Sequence, residues 1–205
     1  MPTLPGCWSF EMEFQVRGVS VQISFYFFAV LALLFLLDRS GTLSAGFLSC
    51  LCHEAGHLAA FALLGDPPKS LAFLPFGLRI IPRAGLSSPR HELITLLAGP
   101  GVNLGLFALF LLTGVHLPFA AANLLIGIFN LLPIAPLDGG RAILLLLERF
   151  FPEGRAYLTG RILSGITLLG LGVGGVWLLL CTGYNFSLLL CTGYLFVLTF
   201  CKKEV

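Results

Sequence analysis

The sequence predicts an all-α membrane protein of about six transmembrane helices, with a short β-like hairpin between the second and third, in one domain over residues 1–205. Three observations predict it. The chain is 57% hydrophobic and only 11% charged, with a mean hydropathy of +0.96, far from the balance of a soluble domain. Apolar runs near the roughly 20 residues that cross a bilayer recur along almost the whole length. Between them lie clusters of Gly, Pro and charged residues that stop helices. A formal charge of +2, with Lys and Arg set between apolar runs rather than in a patch, excludes nucleic acid as a partner and leaves the lipid bilayer. The six cysteines, Cys7, Cys50, Cys52, Cys181, Cys191 and Cys201, show neither disulfide nor zinc-ribbon spacing and read as small buried hydrophobes. Cys50, three residues before His53 on the same helical face, is the one placed for a metal or redox role.

Residues 1–18 read as a short tail carrying Glu11, Glu13 and Arg17, and the first span runs from about Val19 to Leu37. The tail lacks a basic stretch and no small-x-small site follows the run, so a cleavable signal peptide is not expected. Asp38-Arg39-Ser40-Gly41 makes a turn, and the second span, about Thr42 to Leu64, stops at Gly65-Asp66-Pro67-Pro68. Residues 69–90 are apolar but too short and too broken by Pro75, Gly77 and Pro82 for a span. They predict short strands at the membrane surface, confined by the prolines to an edge that can accept an extended peptide.

The third span runs from near His91-Glu92 to about Thr113, through Ala98-Gly99-Pro100-Gly101-Val102-Asn103. Its small residues permit close helix approach, and Asn103 needs a hydrogen-bond partner, which suits a packing role. A fourth run, about Phe119 to Leu132, breaks into Asn130-Leu131-Leu132-Pro133-Ile134-Ala135-Pro136-Leu137-Asp138-Gly139-Gly140-Arg141. Unwound backbone at membrane depth is tolerated only inside protein or beside a wet cavity. After the apolar stretch from Ala142 to Leu147, Glu148 to Arg161 read as a polar connection, and the fifth and sixth spans cover about Ile162–Leu180 and Phe186–Phe200. Leu-Leu-Leu-Cys-Thr-Gly-Tyr occurs at 178–184 and again at 188–194, which is one duplication rather than a repeat architecture.

The second span contains His53-Glu54-Ala55-Gly56-His57. On a helix the two histidines lie one turn apart on one face, so both can reach one zinc ion with Glu54 beside it as general base. A lone histidine on an apolar face is more often satisfied by neighbours, but three ionisable groups in mid-membrane are expensive and mark function. Two ligands do not complete a site, and Asp138 is the natural third, leaving a fourth position open. His91 and His116, at span ends, are not expected to be ligands. With six spans, every Lys and Arg except Arg39 falls on one side, which puts both termini in the cytoplasm and His53, His57 and Asp138 toward the cytoplasmic half of the bilayer.

These residues resemble the site-2 protease family of intramembrane zinc metalloproteases over most of the chain. His53-Glu54-x-x-His57, Asn130-x-x-Pro133-x-x-Pro136-x-Asp138-Gly139 and Gly99-Pro100-x-x-Asn103 carry the resemblance, and the second of these is the most specific. The chain looks like a minimal bacterial form, near the branch of the sporulation factor-processing protease, in a bacterial cell membrane. The resemblance implies one zinc ion on His53, His57 and Asp138 with Glu54 catalytic, and a membrane-protein substrate cut in or near a transmembrane segment to release a regulatory factor. It implies that Phe73, Leu74, Phe76 and Gly77 hold substrate as a strand, with Asn130 binding substrate or supporting the broken helix. Alternatives are a metal transporter, whose duplicated half is not seen here, or an inactive relative that binds transmembrane segments, against which an intact Glu54 speaks.

Overall fold

A computed structural model describes residues 11–16, 18–74, 77–81, 88–114 and 116–201. The chain forms β1 (Glu11–Val16), β2 (Val19–Ser24), α1 (Phe25–Leu37), α2 (Thr42–Leu64), β3 (Ser70–Leu74) and β4 (Gly77–Ile81). Then follow α3 (Pro89–Thr113), α4 (Leu117–Asn130), α5 (Asp138–Phe150), α6 (Glu153–Thr182) and α7 (Ser187–Phe196), which ends in a π-helical turn, Val197–Cys201. Among the described residues the chain is mostly helical with one small sheet.

The expected hairpin between the second and third spans is present as β3 and β4, but it is only half of a sheet. The strands lie in the order β1-β2-β3-β4, with β2 and β3 parallel and the other pairs antiparallel. This corrects the reading of residues 11–16 as part of a tail and of Val19 as the start of a span; residues 1–10 of that expected tail lie outside the described residues. Val19-Ser20-Val21-Gln22-Ile23-Ser24 is apolar on average, yet it alternates with the period of a strand. Gly18, at φ +80°, supplies the left-handed turn residue between β1 and β2. On the polar face Glu13 accepts hydrogen bonds from Ser20 Oγ at 2.8 Å and Gln22 Nε2 at 3.3 Å, while Val21 is buried. The sheet meets the helices through Phe27 of α1, whose ring stands edge-on to Phe73 of β3 at 5.5 Å.

Among the described residues three helices, α2, α3 and α6, are long and apolar enough to cross a membrane; α1, α4 and α7 with its π-turn are apolar but shorter. Leu36, Leu63, Leu112 and Leu180 are each more than three-quarters exposed. Outward apolar surface of that kind is a liability in water and an ordinary lipid-facing surface in a membrane protein. The same reasoning corrects the cysteines: Cys50, Cys181 and Cys201 are exposed rather than buried, because the outer face of a span is as apolar as its inner one. The polar connection from Glu148 to Arg161 is helical as well. It closes α5 and opens α6 nine residues before Ile162, with Pro152 at the N-cap and Glu153 in the favoured first turn.

Packing concentrates where the site lies. α2, α3 and α4 pack mutually, α5 contacts α3 and α6, and α6 pairs with α7. Ile134, Leu168 and Leu195 form a buried cluster flanked by Phe129, Leu132, Leu137 and Leu171. The segment between α4 and α5 is thus anchored by a side chain driven into the α6–α7 pair.

Candidate metal centre

His53 and His57 lie on the buried face of α2, with rings edge to face at 4.7 Å between centroids. α3 crosses at a point where neither helix carries a side chain. A Cβ on Gly56 would stand 2.7 Å from the Ala98 carbonyl oxygen, and one on Gly99 would stand 2.5 Å from His57 Nε2 and 2.9 Å from His53 Cε1. The backbone of α3 therefore lies directly against both imidazoles. Pro100, one residue on, removes an N–H from the α3 ladder near this crossing.

Asp138 reaches the histidines because α4 stops and the chain turns sharply before α5 begins. Ile134 N–H donates to the Leu132 carbonyl and Leu137 N–H to the Ile134 carbonyl, each at 2.8 Å, while Ala135 N–H donates to Ser164 Oγ of α6 at 3.1 Å. The first turn of α5 folds tightly onto this segment. A Cβ on Gly139 would run into the Leu131 carbonyl, and one on Gly140 into that of Ile134. The two glycines are what allow the helix bearing Asp138 to start against unwound backbone.

Three ligand atoms converge. His53 Nε2 is 3.0 Å from Asp138 Oδ2, His57 Nε2 is 3.3 Å from the same oxygen, and the two Nε2 atoms are 3.1 Å apart. A tetrahedral zinc ion with bonds of about 2.0–2.1 Å holds its ligand atoms about 3.3–3.4 Å apart, so the triangle needs only a few tenths of an ångström of expansion. The outer ring nitrogens are also prepared: His57 Nδ1 is 2.7 Å from the Thr95 carbonyl oxygen and His53 Nδ1 is 2.7 Å from Asn103 Oδ1. A carbonyl cannot donate, so each Nδ1 carries a proton, which leaves Nε2 as the nitrogen of each ring that would bind a metal ion. Two buried imidazoles and a half-buried carboxylate, aimed at one point, fit a divalent ion. Among the described residues this is the one cluster of three or more His, Cys, Asp or Glu side chains that could hold a metal.

The remaining candidate residues are placed as follows. Glu54 is half-buried and within electrostatic reach of His57, His53 and Asp138. Asn130, at the last turn of α4, donates from Nδ2 to the Ile126 carbonyl at 3.0 Å, a bond internal to its own helix. Phe73 packs on α1, Leu74 and Gly77 face each other where β3 pairs with β4, and Phe76 lies outside the described residues. His91 pairs with Asp66 at 2.7 Å, His116 caps α4, and Cys50 is exposed, all apart from the metal cluster. Asn103, read from sequence as a packing residue, bonds across to α2 and α4 as such a residue does, and also touches a histidine of the cluster. Its signal was a fully apolar neighbourhood around one amide, but the partner came from another helix. The Thr95 carbonyl and Ser164 had no signal at all.

No family model matches the chain. It is 32% identical over 167 residues to a Mycobacterium tuberculosis protein named "Putative zinc metalloprotease Rip3", a match over 68% of this chain and 42% of that one. It is 34% identical over 116 residues to stage IV sporulation protein FB of Bacillus subtilis, covering 52% of this chain and 40% of that protein. The chain thus spans about two-fifths of the length of these curated relatives. Among solved structures, the site-2 protease from Methanocaldococcus jannaschii superposes with a TM-score of 0.64 at 19% identity, over 96% of each chain.

Proposed function

We propose that this chain, which belongs to the site-2 protease family, is an intramembrane zinc metallopeptidase that hydrolyses a peptide bond in or near a transmembrane segment of a membrane-bound substrate, releasing a regulatory factor. The observation that carries this reading is the triangle of His53 Nε2, His57 Nε2 and Asp138 Oδ2, with edges of 3.0–3.3 Å. These three residues hold one zinc ion. When bound, zinc supplies Lewis acidity, polarising a carbonyl and bringing the pKa of water down to about 7. Glu54, adjacent to His53 in sequence, accepts the proton of the attacking water and returns it to the leaving amine. The α3 backbone at Gly99 and the anchored segment before Asp138 wall the site on the protein side, which keeps the carboxylate and imidazoles out of bulk water.

A helical substrate hides its carbonyls in its own hydrogen bonds and must be extended before it is cut. Strand β4 is an edge of the sheet, and an extended segment adding there finds backbone partners. Gly77 begins that edge strand, Phe73 and Leu74 lie on the neighbouring β3 rather than at the edge, and Phe76 lies outside the described residues; Asn130 supports the end of α4. Six crossings, with both termini and the zinc site toward the cytoplasm, suit the distribution of basic residues. Helices of 13 and 14 residues, such as α1 and α4, cover only about 20 Å of a hydrocarbon core of about 30 Å. The sheet and the unwound segment extend those two crossings.

The test is cleavage of a model single-span substrate by detergent-purified protein, comparing wild type with Glu54→Gln and measuring bound zinc in both. The reading expects one zinc in each and a loss of cleavage of about 10²–10⁴-fold or more in the variant. Cleavage that survives Glu54→Gln, or zinc binding indifferent to His53→Ala, overturns it.

A further inference from the structure

His53 is the end of a chain of buried side chains that leaves the metal cluster and runs into α4. Asn103 of α3 presents Oδ1 to His53 and donates from Nδ2 to the Ser49 carbonyl oxygen at 3.0 Å and to Asn123 Oδ1 at 2.7 Å. Asn123 of α4 donates from Nδ2 to Ser49 Oγ and to the Phe119 carbonyl oxygen, each at 2.9 Å. Ser49 Oγ in turn donates to the Ala45 carbonyl oxygen at 2.8 Å. Ser49, Asn103 and Asn123 are all 0% exposed.

The direction of every bond in this chain is forced. The Phe119 carbonyl only accepts, and the Ser49 hydroxyl proton is committed to Ala45, so the NH₂ end of Asn123 must face both. Its oxygen is thereby turned to Asn103. The Ser49 carbonyl also only accepts, so the NH₂ end of Asn103 faces it and Asn123 together, which turns the Asn103 oxygen to His53. Rotating either amide by 180° would set oxygen against oxygen at hydrogen-bond distance in a buried site, at the full cost of unsatisfied polar groups. Amide orientation is ordinarily a matter of inference; here two backbone carbonyls on different helices decide it.

We propose that Asn123, acting through Asn103 and Ser49, is a positioning residue for the metal: it locks the His53 tautomer and ring orientation, so that Nε2 is held ready as a ligand. This rests on His53 binding zinc as proposed above. His57 needs no such device, because its Nδ1 meets a main-chain carbonyl that cannot rotate. α4, which contributes no ligand, becomes part of the metal site. An apolar residue at 123 fills the same space at lower cost in a membrane, so the amide needs a reason, and the tautomer lock is one.

The experiment measures zinc affinity by chelator competition on the full-length purified protein, together with the melting temperature of the zinc-free form. Variants are Asn103→Leu, Asn123→Leu, the double variant, and Asn123→Ala should the Leu variant fail to fold. Asn103→Leu is expected to weaken zinc binding about 10–100-fold. Asn123→Leu weakens it by a smaller factor, and adds nothing in the Asn103→Leu background. If the Asn123 variants shift only the zinc-free melting temperature and leave zinc affinity unchanged, Asn123 is a packing residue and the proposal fails while the protease reading stands. If wild type itself shows no zinc binding that His53→Ala abolishes, the underlying reading fails first.

Discussion

Gly99 of α3 lies so close to His57 of α2 that a β-carbon at position 99 would stand 2.5 Å from Nε2, the nitrogen aimed at Asp138. The smallest substitution in the chain is therefore expected to be among the most damaging. In Gly99→Ala the methyl group must displace the imidazoles or separate α3 from α2. Zinc affinity measured by chelator competition should fall at least 10-fold, with cleavage falling in parallel. Gly101→Ala, two residues on and so on the far side of α3 with open space around it, is the control and should leave both near wild type.

Ser164 of α6 holds the unwound segment that delivers Asp138, through its bond from Ala135 N–H. Ser164→Ala removes that part-buried hydrogen bond, at a cost of about 0.5–1.5 kcal/mol. A lower melting temperature of the zinc-free protein is expected, with weaker zinc binding because Asp138 is less firmly placed. Ser164→Thr keeps the hydroxyl and should restore most of the zinc affinity. An affinity equal to wild type in Ser164→Ala would show that Ile134 alone anchors the segment.

Zinc should stabilise the protein by mass action. At a free concentration 100 times the dissociation constant the gain is about 2.7 kcal/mol, read as a rise in melting temperature. Asp138→Ala and His57→Ala should abolish the rise. His91→Ala should leave it intact, because that imidazole pairs with Asp66 outside the cluster.

Asp38, in the connection between α1 and α2, accepts from the side-chain hydroxyl and the backbone N–H of Ser44, which hold its carboxyl down from 3.8 to about 2. The folded pKa is the lower one, so the stabilisation is present above the unfolded value and is lost as pH falls from about 4 toward 2. Asp38→Asn should lower the melting temperature at neutral pH by a margin that shrinks as pH falls below about 4 and vanishes only below pH 2. A margin independent of pH would mean that the carboxylate charge is not what matters.

The membrane class, the boundaries of α2, the two histidines on one helical face and the helix break that carries Asp138 were legible in residues 42–64 and 130–141, because each is a local property. Hydropathy, a spacing of four and a Pro-Gly break need no knowledge of distant chain. The β1–β2 hairpin was lost for the opposite reason. Val19–Ser24 is apolar enough to blend into the run that follows, and only its pairing with Glu11–Val16 on one side and Ser20–Ile23 with Ser70–Phe73 on the other makes it a strand. Chemistry assigned from sequence identified which side chains converge. Which way they face was decided by Gly99 against two imidazoles, Ser164 beneath the unwound segment, and Asn123 on a helix 70 residues beyond His53. Such contacts arise only when helices pack, because a hydrogen bond has direction and a packed crossing has no room to spare, and neither is written in the order of the residues.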